Sequence, residues 1–241
     1  MYAKEKFQLY SIQKGTGTPM VLLHGNGESS AYFSHQIDYF SRNYRVAAVD
    51  TRGHGKSPRG EGVFTLNRFV EDLKQFLDEN GFRKIILLGF SDGGNIALLF
   101  ALKYPEYLEK LILNGANLSP SGVRLSIQAP IVLGYALVSV VAFFDKKLIR
   151  KKEMLGLMVK EPHIRPEALR KLAVPTFVIA GTRDMIREKH TRKIQENIPG
   201  SRLCLLEGSH FIANENPEAF NRAVEMFLEG KTDPAEERRK K

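Results

Sequence analysis

The amino-acid sequence predicts an α/β protein: a mostly parallel central sheet with helices on both faces. Three observations carry this expectation. Apolar runs of strand length at 20–23, 44–49, 85–88, 108–113 and 175–180 alternate with stretches of helical spacing. The runs are apolar along nearly their whole length, as in strands buried on both faces. Polar, glycine-punctuated loops follow their C-terminal ends, where sheets of this kind bind ligands. The 241 residues, 43% hydrophobic and 26% charged, fit one large domain or two small ones, and no repeat or low-complexity block interrupts them.

Residues 7–12 read as a first strand, followed by a turn through Gly15, Gly17 and Pro19. The strand at 20–23 ends in His24-Gly25-Asn26-Gly27, whose glycines leave backbone N–H groups free to point into a cleft. Ser29 or Ser30 is placed to cap a helix over 31–40. The strand at 44–49 runs into the polar loop Asp50-Thr51-Arg52-Gly53-His54-Gly55-Lys56-Ser57-Pro58. Leu66, Phe69, Val70, Leu73, Phe76 and Leu77 recur at helical spacing, so 65–80 is an amphipathic helix with Thr65 at its start and Gly81 at its end. The strand at 85–88 then turns abruptly at Gly89-Phe90-Ser91-Asp92-Gly93-Gly94 into an apolar helix. Glycines on both sides of Ser91 allow that reversal and leave the serine at its tip.

From 119 to 171 the alternation breaks. A very apolar run, 131–144, precedes the cations Lys146, Lys147, Arg150, Lys151 and Lys152. The run itself is too short to span a bilayer, which takes about 20 residues. Three readings stay open: a buried helix, a lid lining an acyl or aromatic pocket through residues such as Leu133 and Leu137, or a helix lying on an anionic membrane by way of 131–152. The parallel pattern resumes at 175–180 and ends in Gly181-Thr182-Arg183-Asp184. A helix at 188–197, a strand at 202–206, the loop Glu207-Gly208-Ser209-His210-Phe211 and a helix at 217–228 follow. The charged tail, 231–241, has a disordered composition.

The formal net charge is +9, with much of the excess in 146–152 and in the tail. No basic stripe interleaved with aromatics appears, so no nucleic-acid partner is expected. The single cysteine, Cys204, excludes an intramolecular disulfide and a cysteine metal cluster, and its apolar neighbours suggest a buried thiol. The first six residues hold no apolar segment of the secretory kind. A cytoplasmic location fits both, and no metal or cofactor is expected.

An alcohol needs a base within hydrogen-bond reach, and that base needs an orienting acid. Ser91, Asp184 and His210 each stand just after an expected strand, and a parallel sheet gathers those ends on one edge. The sequence thereby resembles the α/β-hydrolase fold family. The resemblance rests on His24-Gly25-Asn26-Gly27, the 50–57 loop, Gly89-Phe90-Ser91-Asp92-Gly93-Gly94, Gly181-Thr182-Arg183-Asp184 and Gly208-Ser209-His210-Phe211, in the family's order. It implies Ser91 as nucleophile, His210 as general base and then acid, and Asp184 as the residue orienting His210. It also implies an oxyanion hole from the backbone N–H groups of Asn26 and Asp92. Residues 119–171 would be the family's helical cap, inserted after the sixth strand, and 1–118 with 172–230 the core.

A serine at the elbow argues against the dehalogenase and epoxide hydrolase branches, which use a carboxylate nucleophile. Asp50 and Glu207 are alternative triad acids, and His24 and His54 are expected to hold loops together. His35, His163 and His190 read as surface or packing residues. Asp92 reads either as a first-turn acid favoured by the helix dipole or as an attractor of cationic substrates. Phe211 is a candidate for substrate contact. The expected function is a serine hydrolase, carboxylesterase-like, for esters of small or medium acyl chain. The alternatives are a carbon–carbon hydrolase or lyase, a thioesterase, and an aminoacyl-ester hydrolase or aminopeptidase. From another class comes a ligand-binding or membrane-surface protein.

Overall fold

A computed structural model describes residues 7–231. The expected tail lies, Lys231 apart, outside the described residues, as does the N-terminal stretch 1–6. The strands are β1 (Ser11–Lys14), β2 (Pro19–Leu23), β3 (Arg45–Val49), β4 (Ile85–Phe90), β5 (Leu108–Asn114), β6 (Thr176–Gly181) and β7 (Arg202–Leu206). They form one sheet in the order β1-β3-β2-β4-β5-β6-β7. Only the β1–β3 pairing is antiparallel.

The apolar runs are explained by two cores, one on each face. Successive strand residues point to opposite sides. Val21, Leu23 and Leu87 therefore enter one core, with Phe69, Leu73 and Phe100. Met20, Leu22 and Leu88 enter the other, with Phe33, Phe220 and Val224. Helices α2 (Leu66–Glu79) and α3 (Asp92–Lys103) supply the first core, and α1 (Ser34–Phe40) and α8 (Pro217–Leu228) the second. Thr65 caps α2 by accepting from the Arg68 N–H at 3.1 Å. Buried Arg52 grips Asp72 of α2 with two hydrogen bonds of 2.6 Å, which locks the loop after β3 onto the first core.

The segment 119–171 holds α4 (Leu125–Phe144), α5 (Ile149–Lys160) and a 3-10 turn, Pro166–Lys171. It follows β5, the fifth strand of the described residues, and not a sixth as expected. Helix α4 starts six residues before the apolar run, at Leu125, and its 20 residues reach ~30 Å. By length and composition it can cross a membrane, which corrects the expectation of a run too short to do so. Nor is it a buried helix: among its residues only Ala142 is fully buried. Cys204, expected to be buried, is half-buried because β7 is the edge strand of the sheet. Helices α6 (Glu188–Asn197), α7 (Ile212–Glu215) and α8 complete the described residues.

Candidate active site

The site is assembled where β4, β6 and β7 end. Ser91 follows β4 with φ 54° and ψ −118°, the one non-glycine residue with positive φ among the described residues. Such a conformation costs of order 1–3 kcal/mol and persists only when its surroundings enforce it. Close packing enforces it here. A Cβ at Gly89 would lie 2.2 Å from the Gly93 carbonyl oxygen, and one at Gly93 would lie 2.1 Å from that of Leu23. The third glycine, Gly94, lets α3 approach the loop after β5, since a Cβ there would stand 2.9 Å from Ala116 Cβ. The Ser91 N–H donates to the Asn114 carbonyl at 2.8 Å.

The loop after β7 brings His210 under this turn. Its Nε2 lies 3.0 Å from Ser91 Oγ, and its Nδ1 lies 2.7 Å from Asp184 Oδ1. A carboxylate against Nδ1 keeps the proton on that nitrogen, so Nε2 is left to accept from the serine hydroxyl. Asp184, 3% exposed in the loop after β6, is held in turn by the Ile186 N–H on Oδ1 at 2.8 Å. Phe90 packs on the imidazole with ring centroids 4.8 Å apart. Gly115, at φ 62°, closes the other side: a Cβ there would stand 2.7 Å from His210 Cε1.

The loop after β2 faces the elbow. A Cβ at Gly25 would approach Ser91 Cβ to 3.2 Å. Asn26 donates its side-chain amide to Asp92 Oδ2 and to the Met154 carbonyl of α5, each at 2.9 Å. Asp92 Oδ1 accepts from Asn95 at 3.2 Å. Burial pushes the Asp92 carboxyl above its ordinary value, and the two amides and His210 oppose that shift. Among the described residues neither the Asn26 nor the Asp92 backbone N–H meets a protein acceptor.

His24 and His54 sit behind this loop. His24 Nε2 accepts from the Thr51 N–H at 3.0 Å, and burial lowers its pKa to about 4. His54 Nδ1 lies 3.1 Å from Thr51 Oγ1. Asp50 accepts from the N–H groups of Ser30 and Lys56 at 2.6 and 2.7 Å, while exposed Glu207 faces Arg183. Neither acid touches His210; Asp184 does. His190 accepts from the Leu118 N–H at 2.8 Å and packs on Gly122. Phe211, 42% exposed, stands at the rim with its ring 5.6 Å from that of His210. Leu133 and Leu137 are 63% and 60% exposed on the outer face of α4, so α5, through Met154, is the cap element at the site. Gly115, Glu28 and Met154 had no sequence signal beyond their loops and helix. Glu28 accepts from the Gly25 N–H at 3.3 Å, and burial raises its carboxyl.

A sharp strand-to-helix serine turn over a parallel sheet, with histidine and aspartate on neighbouring strand ends, defines a hydrolase class. A family model described as alpha/beta hydrolase fold matches residues 18–151, and the chain belongs to that family. It is similar to human serine hydrolase BPHL, 29% identical over 92% of this chain and 83% of that protein. It is also similar to mouse epoxide hydrolase 4, 42% identical over 39% of this chain and 26% of that one. Among solved structures, a thermophilic esterase from Thermogutta terrifontis superposes with a TM-score of 0.75 at 25% identity, covering 95% of this chain and 96% of its own.

Proposed function

We propose that this hydrolase cleaves carboxylic esters of small or medium acyl chain through an acyl-enzyme on Ser91. The observation that carries the reading is the unbroken line of hydrogen bonds from Ser91 Oγ through His210 to Asp184. Ser91 Oγ attacks the ester carbonyl carbon as its proton passes to His210 Nε2. Asp184 holds the imidazolium that forms. The carbonyl oxygen takes the negative charge and is met by the N–H groups of Asn26 and Asp92, one such donor being worth ~10²–10³ in rate. Collapse breaks the C–O bond, and His210 returns its proton to the departing alcohol. Water, deprotonated by His210, then attacks the acyl carbon; the bond to Ser91 Oγ breaks, His210 returns the proton to that oxygen, and the acid leaves.

Asp92 acts in this scheme by position. Both its carboxylate oxygens are taken by protein amides, which favours anchoring of Asn26 over attraction of a cationic substrate. The names of the human relative, a serine hydrolase, and of the Thermogutta terrifontis protein, an esterase, agree with this chemistry. A cytoplasmic location belongs to the proposal, since one cysteine allows no internal disulfide.

Turnover of p-nitrophenyl esters of graded acyl length tests the reading, with one aminoacyl ester included. Hydrolysis of the shorter esters, lost in Ser91→Ala, is expected. Preference for the aminoacyl ester would count against the role given to Asp92, and hydrolysis unchanged in Ser91→Ala would overturn the mechanism.

A further inference from the structure

Helix α4 is apolar on nearly every side and leaves most of that surface uncovered. Two of its few polar side chains meet α5: Gln128 donates to the Met158 carbonyl at 3.2 Å, and the Tyr135 ring lies 5.2 Å from Lys160 Nζ. Most of its large apolar side chains face away. Leu125, Val132, Leu133, Leu137, Val140 and Phe144 fall on one stripe at helical spacing and are 43–82% exposed. Single exposed apolar residues are ordinary, but a continuous stripe of this length marks a surface that meets something apolar.

The charge beside the stripe says what that is. The chain leaves α4 at the paired rings of Phe143 and Phe144 and runs into Lys146, Lys147, Arg150, Lys151 and Lys152. Among the described residues none of these five cations forms an ion pair with a carboxylate. The neighbouring acids are engaged: Asp145 caps the Lys147 N–H, and Glu153 pairs with Arg59. An apolar stripe, then aromatic rings, then uncompensated cations is the order of chemistries met on passing from acyl chains through the interface to anionic headgroups.

Although α4 is long enough to cross a bilayer, both its ends belong to one body. Its start is tied to the Asp184 loop by Arg124, whose N–H donates to the Met185 carbonyl and whose Nε donates to the Asp184 carbonyl, both at 2.8 Å. Past its end, α5 returns to set the Met154 carbonyl on Asn26. A spanning α4 would carry Arg150, Lys151 and Lys152 through the hydrocarbon or to its far side, at high cost.

We propose that the α4–α5 hairpin is a docking surface for an anionic lipid bilayer, with α4 lying in the interface. Because α5 touches the oxyanion loop, docking places the candidate active site at the membrane surface. On the ester-hydrolase reading, the substrate class is then an ester dissolved in the bilayer.

The test is flotation of the intact protein with vesicles of phosphatidylcholine alone or with ~30% phosphatidylglycerol, at low and high salt. Turnover of soluble p-nitrophenyl butyrate is followed in parallel. The protein is expected to float with the anionic vesicles and at least tenfold less with the neutral ones, and salt is expected to release it. V140S/F143S/F144S and K146E/K147E/K151E should each cut flotation at least tenfold, with wild-type butyrate turnover and unchanged melting temperature. Flotation that survives both variants overturns the proposal, as does failure to float with anionic vesicles. A wild-type dimer that V140S/F143S/F144S converts to monomers, without vesicle binding, also overturns it, since a second copy would then cover the stripe. Flotation without butyrate turnover upholds docking and counts against the ester reading alone.

Discussion

The side-chain amide of Asn26 joins Asp92, the residue after the candidate nucleophile, to the Met154 carbonyl of the cap, with both hydrogen bonds at 2.9 Å. The two backbone N–H groups proposed as the oxyanion hole are thus carried by residues whose side chains hold each other. Asp92→Ala should lower kcat for p-nitrophenyl acetate by about ten- to a hundredfold with little change in KM, because the loss falls on transition-state binding. Asn26→Ala should do the same. The double variant should be no worse than either one, a coupling of about 1.4–2.7 kcal/mol in a double-mutant cycle. Additive losses would separate the two residues.

Gly115 tests how tightly His210 is held. At φ 62°, with a Cβ only 2.7 Å from His210 Cε1, an alanine is both strained and in collision. Gly115→Ala should cost about 1–3 kcal/mol in urea unfolding and reduce kcat at least tenfold. A fully active, equally stable variant would mean that the imidazole has room to spare.

Asp184→Asn should keep the fold and lose ~10³–10⁴ in kcat, since an amide in place of the acceptor favours the wrong imidazole tautomer. Asp50→Asn, by contrast, breaks loop hydrogen bonds to Ser30 and Lys56 and should be read mainly in stability. If Asp50→Asn abolished turnover while Asp184→Asn kept it, the triad acid would have to be reassigned.

Burial lowers His24 and His190 from 6.5 to about 4. The folded state therefore binds these protons less readily than the unfolded chain. The stability the two histidines lend is complete above pH 6.5 and is lost as pH falls from 6.5 toward 4. The slope approaches ~1.4 kcal/mol per pH unit for each group across that window. Urea midpoints should fall between pH 7 and 5, and His24→Asn should flatten the fall. Midpoints constant from pH 7 to 5 would contradict the assignment.

How legible the molecule was in sequence depended on how local each signal was. Thr65 and the stripe from Leu66 to Leu77 specified α2 within a single turn, because capping and periodicity act over three or four residues. The apolar strands were readable because both faces of the sheet are covered. Ser91, Asp184 and His210 could be lifted out because each follows a strand of a parallel sheet, which brings chain ends of that kind together. The rest turned on long-range packing. Residues 131–144 could not reveal that α4 begins at Leu125 or that its apolar side faces outward, since that is set by Gln128 and Tyr135 meeting α5. The half-burial of Cys204 follows from β7 being the edge strand. The link between Asp92 and Asn26 spans 66 residues and leaves no local trace.

The proposed chemistry stands on Ser91 as an activated nucleophile. Reaction of the native protein with a fluorophosphonate probe, followed by peptide mass spectrometry, tests it most directly. One adduct is expected, on Ser91, absent after heat denaturation and absent in Ser91→Ala and His210→Gln. An unlabelled native protein, or an adduct on another serine that persists in Ser91→Ala, would contradict it.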